Sequence, residues 1–166
     1  MKKRIFLSSI IGIVLLVATS QAIYSSSDIL VFANEGNQIE ELTHEQIVHM
    51  TDEFIHLFML DTEENGLVRG FHSKKELYEE IEKVALREAA IEYVDFFYTE
   101  KEEGLYLLPT ELPPWFIKEN NYDRIRTEED TIRIKQQNTT DLYGEYTIEI
   151  IFTHDTKWKI SEIIYR

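Results

Sequence analysis

The chain has 166 residues, with 17 Lys+Arg against 31 Asp+Glu and a formal net charge of -14. Hydrophobic residues make up 43% with 9 Phe, 9 Tyr and 2 Trp, enough for one domain with a real core and too many for a disordered acidic tail. The acidity excludes nucleic acid as a partner, because phosphate binding needs clustered bases, and the absence of Cys excludes a disulfide framework, a thiolate zinc site and a cysteine nucleophile.

The amino terminus has the order of an export signal. Lys2, Lys3 and Arg4 precede an uncharged, almost wholly apolar run of 14 residues from Ile5 to Ala18. Ser20-Gln21-Ala22 then places small residues at a cleavage site, so residues 1–22 read as a signal peptide. The alternative is an uncleaved anchor, since residues 5–24 are just long enough to cross a bilayer. Either way the remainder is expected outside the cytoplasm, secreted or held on the outer face of the cytoplasmic membrane. All 31 acids lie beyond Ala22 and three of the bases lie before it, so the exported part carries -17. Residues 23–42 are polar and aperiodic, and read as a linker.

The domain proper is expected over 43–166. Thr43-His44-Glu45-Gln46 forms a capping box. Ile47, Met50, Phe54, Leu57 and Phe58 follow at helical spacing, which predicts a helix over 44–60. Ser73-Lys74-Lys75-Glu76 is a second capping box, opening one long helix through Leu77, Ile81, Val84, Ile91 and Val94 that Gly104 would stop. The segment 105–121 holds Pro109, Pro113 and Pro114, which exclude regular helix and a central strand. Beyond it the apolar period changes to two. Ile132 and Ile134, then Tyr146, Ile148, Ile150 and Phe152, then Trp158 and Ile160 alternate with neighbours that are polar except for Ile151. That pattern predicts an antiparallel sheet with one face buried. The parity slips from Trp158/Ile160 to Ile163/Tyr165, which predicts a bulge near Ser161-Glu162. The fold class is therefore α+β, with helices packed on a curved antiparallel sheet.

That order, ending on Trp158-Lys159-Ile160-Ser161-Glu162-Ile163, resembles the nuclear-transport-factor-two-like cone domain, also called SnoaL-like or cystatin-like. The stretches Arg69 to Leu77 and Pro109 to Phe116 look like those of small exported Gram-positive proteins of unknown function. The resemblance covers about 45–166 and implies a cone-like fold, with binding, dimerising or regulatory roles commoner than catalysis. In cone-fold enzymes a carboxylate, His or Tyr inside the cone does the chemistry. No motif here carries such a residue over.

Several local patterns bear on chemistry. Asp61, Glu63, Asn65 and Gly66 fall at the first, third, fifth and sixth positions of a calcium loop, with apolar Val68 at the eighth. His72 at the twelfth cannot supply the bidentate carboxylate, and a polar connection with a Gly turn accounts for the same residues. His49 and His56, with Glu45, Asp52 and Glu53 nearby, lie opposite the apolar stripe of the first helix. They suit a metal site or, more simply, the solvated face every such helix needs. A Gly-x-Ser-x-Gly turn and a Gly-rich phosphate loop are both missing from the sequence. Tyr106, Trp115, Phe116, Tyr146 and Trp158 are the candidate contacts for a ligand or partner, set against plain core packing. Trp115 and Phe116 sit in the Pro-rich segment, whose fixed φ angles would lower the entropy of presenting them.

The leading expectation is an exported, non-catalytic binding or protein-interaction domain without cofactor. Its partner would be an extracellular protein or small ligand, and a homodimer through the sheet is an expected assembly. The alternatives are a small cone-fold hydrolase or isomerase, and a weak calcium-responsive extracellular module.

Overall fold

The computed structural model describes residues 39–166, so the signal, the anchor and most of the linker lie outside the described residues. Among the described residues no helix is long and apolar enough to cross a membrane. The described residues form an α+β architecture, with three helices and two antiparallel sheets among them.

Helix α1, His44–His56, opens as its sequence predicts. The Thr43 hydroxyl accepts from the N–H of Gln46 at 3.2 Å, and the Gln46 side chain accepts from the N–H of Thr43 at 2.8 Å. Ile47, Met50, Phe54, Leu57 and Phe58 are all buried, while His49 and His56 face water. The helix ends earlier than the apolar spacing predicts. The N–H groups of Phe58 and Met59 fall back to tighter bonds on Ile55 and His56. The Leu57 carbonyl is claimed by the hydroxyl of Tyr98, from a distant part of the chain.

The long second helix is broken in two: α2 is Lys74–Ile81 and α3 is Arg87–Phe97. Between them the chain extends along the edge of the main sheet. Ile160 donates its N–H to Val84 at 2.9 Å and accepts from Leu86 at 2.7 Å. These bonds satisfy a sheet edge that would otherwise be open, and they replace the helical bonds that local propensity favours. The second capping box is half formed. Ser73 caps the N–H of Glu76, but the Glu76 carboxylate accepts from His72 at 2.7 Å rather than from Ser73.

Gly104 does not stop a helix. It closes a hairpin between β1, Tyr98–Lys101, and β2, Gly104–Leu107, around a two-residue loop. Its φ of +142° and the Leu67 methyl 3.0 Å from a would-be Cβ both favour glycine there. The sequence hides this hairpin because Phe97-Tyr98 completes a helical apolar pattern just where the chain becomes extended.

The main sheet has the order β3-β4-β5-β6: Asp123–Glu128, Thr131–Thr140, Gly144–His154 and Trp158–Tyr165. Strand β3 has one large apolar residue, Ile125, and is exposed throughout. Its charges suit an unprotected edge but leave no apolar alternation to mark it. The remaining strands follow the predicted parity. Ile132 and Ile134 oppose Phe152 and Ile150, and Phe152 opposes Ile160. The predicted bulge is present, since Ile151 pairs with Glu162 and Phe152 with Ile160, leaving Ser161 as the extra residue. The slip turns Ile163 to oppose Ile150 and Tyr165 to oppose Ile148 on the buried face.

That face and the buried sides of the three helices form one hydrophobic cluster. Leu42 is fully buried in it and Ile39 packs against it. The packed body thus takes in the last residues of the segment expected to be linker. Trp158 fixes them, donating its indole N–H to the Glu40 carbonyl at 2.7 Å.

Candidate functional site

The Pro-rich segment does not project Trp115 and Phe116 to a partner; both pack inward. Phe116 is buried, and the Trp115 ring lies flat on Phe54 with centroids 5.6 Å apart and planes 7° apart. The Trp115 N–H donates to the Thr51 carbonyl at 3.2 Å. Side chains from β5 and the turn before it hold the segment from below. The hydroxyls of Tyr146 and Tyr143 donate to the carbonyls of Trp115 and Leu112, each at 2.7 Å. A Pro-rich segment lacks backbone partners of its own, and these bonds supply them.

A buried amide pair completes the attachment. Gln136 and Asn138 stand on the inner face of β4, where alternation would put apolar residues. Gln136 accepts from the N–H of Ile117 at 2.8 Å and donates to the carbonyls of Ile117 at 2.8 Å and Asn120 at 3.2 Å. Asn138 donates to Gln136 at 2.9 Å and accepts from Asn120 at 2.8 Å. Satisfied in this way, buried amides are tolerated and fix one arrangement of the loop.

With the segment pinned, a cavity of about 430 Å³ remains between it, α3 and β6. Helix α3 contributes Glu92, Tyr93, Phe96 and Phe97; the Pro-rich segment contributes Glu111 and Pro113; the end of β6 contributes Ile163 and Tyr165. The β6 pair reaches this face only because of the bulge at Ser161. At the site the hydroxyls of Tyr93 and Tyr165 meet at 2.9 Å. Burial pushes the Tyr93 phenol up to about 12 and raises that of Tyr165 further. Both stay neutral at neutral pH and can donate or accept a hydrogen bond, but neither is poised to act as a base. The carboxylates of Glu92 and Glu111 lie on exposed residues. Phe96 is 59% exposed, a large apolar side chain left in water beside an apolar cavity.

None of the five aromatics singled out in the sequence lines this cavity. Tyr106 lies on β2 with Lys101 Nζ 4.2 Å above its ring. Trp158 is core, and Tyr146 is a tether that also borders a polar cavity of about 450 Å³ near Arg166. The cavity residues of α3 had a signal in Tyr93-Val94-Asp95-Phe96-Phe97, more aromatic than one buried stripe requires.

The ionisable residues of β5 fall elsewhere. Glu145 is exposed, and His154 stands edge-on to the Trp158 ring. Glu149 is only 4% exposed, although it lies on the outer face of the sheet and not in the interior. Arg166 Nε is 3.1 Å from it, and Arg133 and Lys135 are 3.9 and 4.0 Å away.

Asp61, Glu63 and Asn65 belong to a tight turn. The Glu63 carbonyl accepts from Gly66 at 2.9 Å, and the Asn65 side chain accepts from Leu67 at 3.0 Å. Thr62 bridges Val68, and Leu67 bridges Tyr106 of β2. The turn packs against the hairpin, with Glu63, Glu64, Asn65 and Arg69 around a shallow cavity of about 420 Å³. Among the described residues no group of three His, Cys, Asp or Glu is arranged to hold a metal.

The chain matches no protein-family model and no curated protein.

Proposed function

We propose that the chain is an exported, non-catalytic binding domain, built as a cone-like α+β fold, that takes a small ligand between α3, the Pro-rich segment and β6. One observation carries this reading. The cavity has apolar walls and a neutral Tyr93–Tyr165 hydroxyl pair at 2.9 Å, with its carboxylates on exposed residues. Few polar groups among apolar walls suit binding, whereas acid–base catalysis needs an ionisable group poised at the reacting atom. A hydrolase or isomerase is the alternative, and it would have to use Glu92 or Glu111. The test is a screen of small apolar probes against the purified chain, followed by nuclear magnetic resonance. Shifts that cluster on Tyr93, Phe96, Ile163 and Tyr165 support the reading. Shifts scattered over the surface, or none, reject it.

A homodimer through the outer face of the sheet is a second reading, favoured by charge. Strand register places Arg133, Lys135, Lys159 and Arg166 on that face with Asp123, Glu128, Glu145, Glu149 and Glu162. Four bases nearly offset five acids there, while the exported part as a whole carries -17. Self-association is least opposed by repulsion on such a face. Sedimentation at rising concentration tests it, and a strictly monomeric chain would reject it. The calcium-responsive alternative stands on Asp61, Glu63 and Asn65; an unchanged melting temperature at millimolar calcium would remove it.

A further inference from the structure

We infer that the cavity between α3, the Pro-rich segment and β6 selects a small organic ammonium ion: an apolar or aromatic body carrying one positive charge. This deepens the binding reading above and rests on it.

Charge is the first observation. Glu92 and Glu111 are the fully charged residues lining the cavity, and both are negative. They come from separate elements, α3 and the Pro-rich segment, so the cavity is acidic from two sides. Among the described residues neither carboxylate has an ion-pair or hydrogen-bond partner. Nearby acids divide: Glu88 of the same helix has no ion pair either, whereas two others do. Asp95 holds Lys74 at 2.6 Å, and Glu82 holds Arg87 at 2.7 Å. The cavity therefore holds two carboxylates with no base paired to either.

The walls supply the second, independent observation. Tyr93, Phe96, Phe97 and Tyr165 give four aromatic rings, and Pro113 and Ile163 complete an apolar lining. Aromatic faces attract ammonium groups, most strongly where water is displaced. The Tyr93–Tyr165 contact leaves free lone pairs on the hydroxyl oxygens, which can accept from the ligand's N–H groups. A volume of about 430 Å³ suits a small molecule and not a folded partner.

Complementarity excludes the other charge types. An anion would face two carboxylates with no counter-charge, inside a strongly acidic exported domain. A neutral apolar molecule would gain the walls alone. A cation gains the walls, the ring faces and both carboxylates, and the field of the whole domain draws it in.

The experiment uses the full chain and three probes of one shape: 2-phenylethylammonium, the neutral 2-phenylethanol and the anionic 3-phenylpropionate. Binding is measured by calorimetry at neutral pH. The expected result is that the ammonium binds about tenfold more tightly than the alcohol, with no binding of the carboxylate. In the double variant Glu92→Gln/Glu111→Gln the ammonium loses most of that preference, keeping only what the ring faces and the remaining field supply, while the affinity of the alcohol is unchanged. Both residues are exposed, so an unaltered melting temperature confirms the variant is folded. Equal binding of the ammonium and the alcohol to the unmodified chain overturns this inference and leaves the binding cavity standing. The inference is likewise overturned if the double variant keeps the full preference, because the attraction then comes from overall charge. If no probe binds, both this inference and the binding reading fail.

Discussion

The indole of Trp115 lies parallel to the ring of Phe54, 5.6 Å away, and so joins the Pro-rich segment to the last turn of α1 across 61 positions of sequence. Tyr93 stands edge-on to both rings. The cavity is thus bounded by a segment that is part of the core, and its geometry depends on core packing.

Replacing Trp115 by Ala removes the stacked ring, the bond to Thr51 and one wall support. The expected cost is about 3 kcal/mol, at the low end for a large aromatic because the ring is partly exposed. Phe96→Ala, on an exposed neighbour, should change stability by no more than about 0.5 kcal/mol while weakening ligand binding. Urea unfolding of both variants distinguishes a structural wall from a contact surface.

The Gln136 amide serves three backbone groups and one side chain. In Gln136→Leu these partners lose their bond in a dry site. The expected loss is about 3 kcal/mol, since each unsatisfied buried group costs about 1–3 kcal/mol. Hydrogen exchange at Ile117 should accelerate far more than at Ile150. Equal acceleration at both would show that the network does not hold the loop locally.

Glu149 is surrounded by Arg133, Lys135 and Arg166. Glu149→Ala leaves three bases facing one another on a half-buried surface, and should cost about 3 kcal/mol. Arg166→Ala should cost less than about 1 kcal/mol, because Arg166 is exposed and two bases remain. Thermal melting of the two variants checks the order. Equal losses would mean that the Arg166 contact carries the site alone.

Stability should fall at both ends of the pH scale. Glu76 and Glu82 are held below their ordinary value of 4.5, Glu76 mainly by the N–H of His72 and Glu82 mainly by Arg87. Groups depressed in the native state stabilise it above the unfolded value, and that share is lost as pH drops through the native one. At the alkaline end, burial holds Tyr93 protonated to about 12 against an ordinary 10. The unfolded chain releases this proton first, so stability declines between pH 10 and 12. Tyr93→Phe should make that decline shallower. Unfolding midpoints measured from pH 7 to 11 give the answer, and an unaltered alkaline slope would count against a buried Tyr93 hydroxyl.

The α+β class, the capping of α1, the buried parity of β4 to β6 and the bulge at Ser161 were legible in the sequence. Each is written in residues close together. A hydroxyl three positions before a glutamine sets a helix start, and apolar residues two apart set a strand face. Strand β3 was not legible, because an exposed edge carries no apolar alternation. Nor were the break between α2 and α3 and the hairpin at Gly104. In both, distant backbone (Ile160 for the first, the Gly66–Val68 stretch for the second) offers hydrogen bonds that outweigh helical propensity.

The candidate site divides in the same way. The sequence by itself determined that Ile163 and Tyr165 turn to the buried face, that the Pro-rich segment is irregular, and that the region after Ala22 is strongly acidic. The aromatics it singled out do not line this cavity, because periodicity says which side of an element a ring lies on and not what stands opposite. Only the tertiary structure decided that Trp115 stacks on Phe54 while Phe96 stays in water, and that Tyr93 meets Tyr165 across 72 positions. Packing in three dimensions has room for a limited number of rings. Which of them fill the core and which are left to line an opening is settled by contacts between elements that no local pattern encodes.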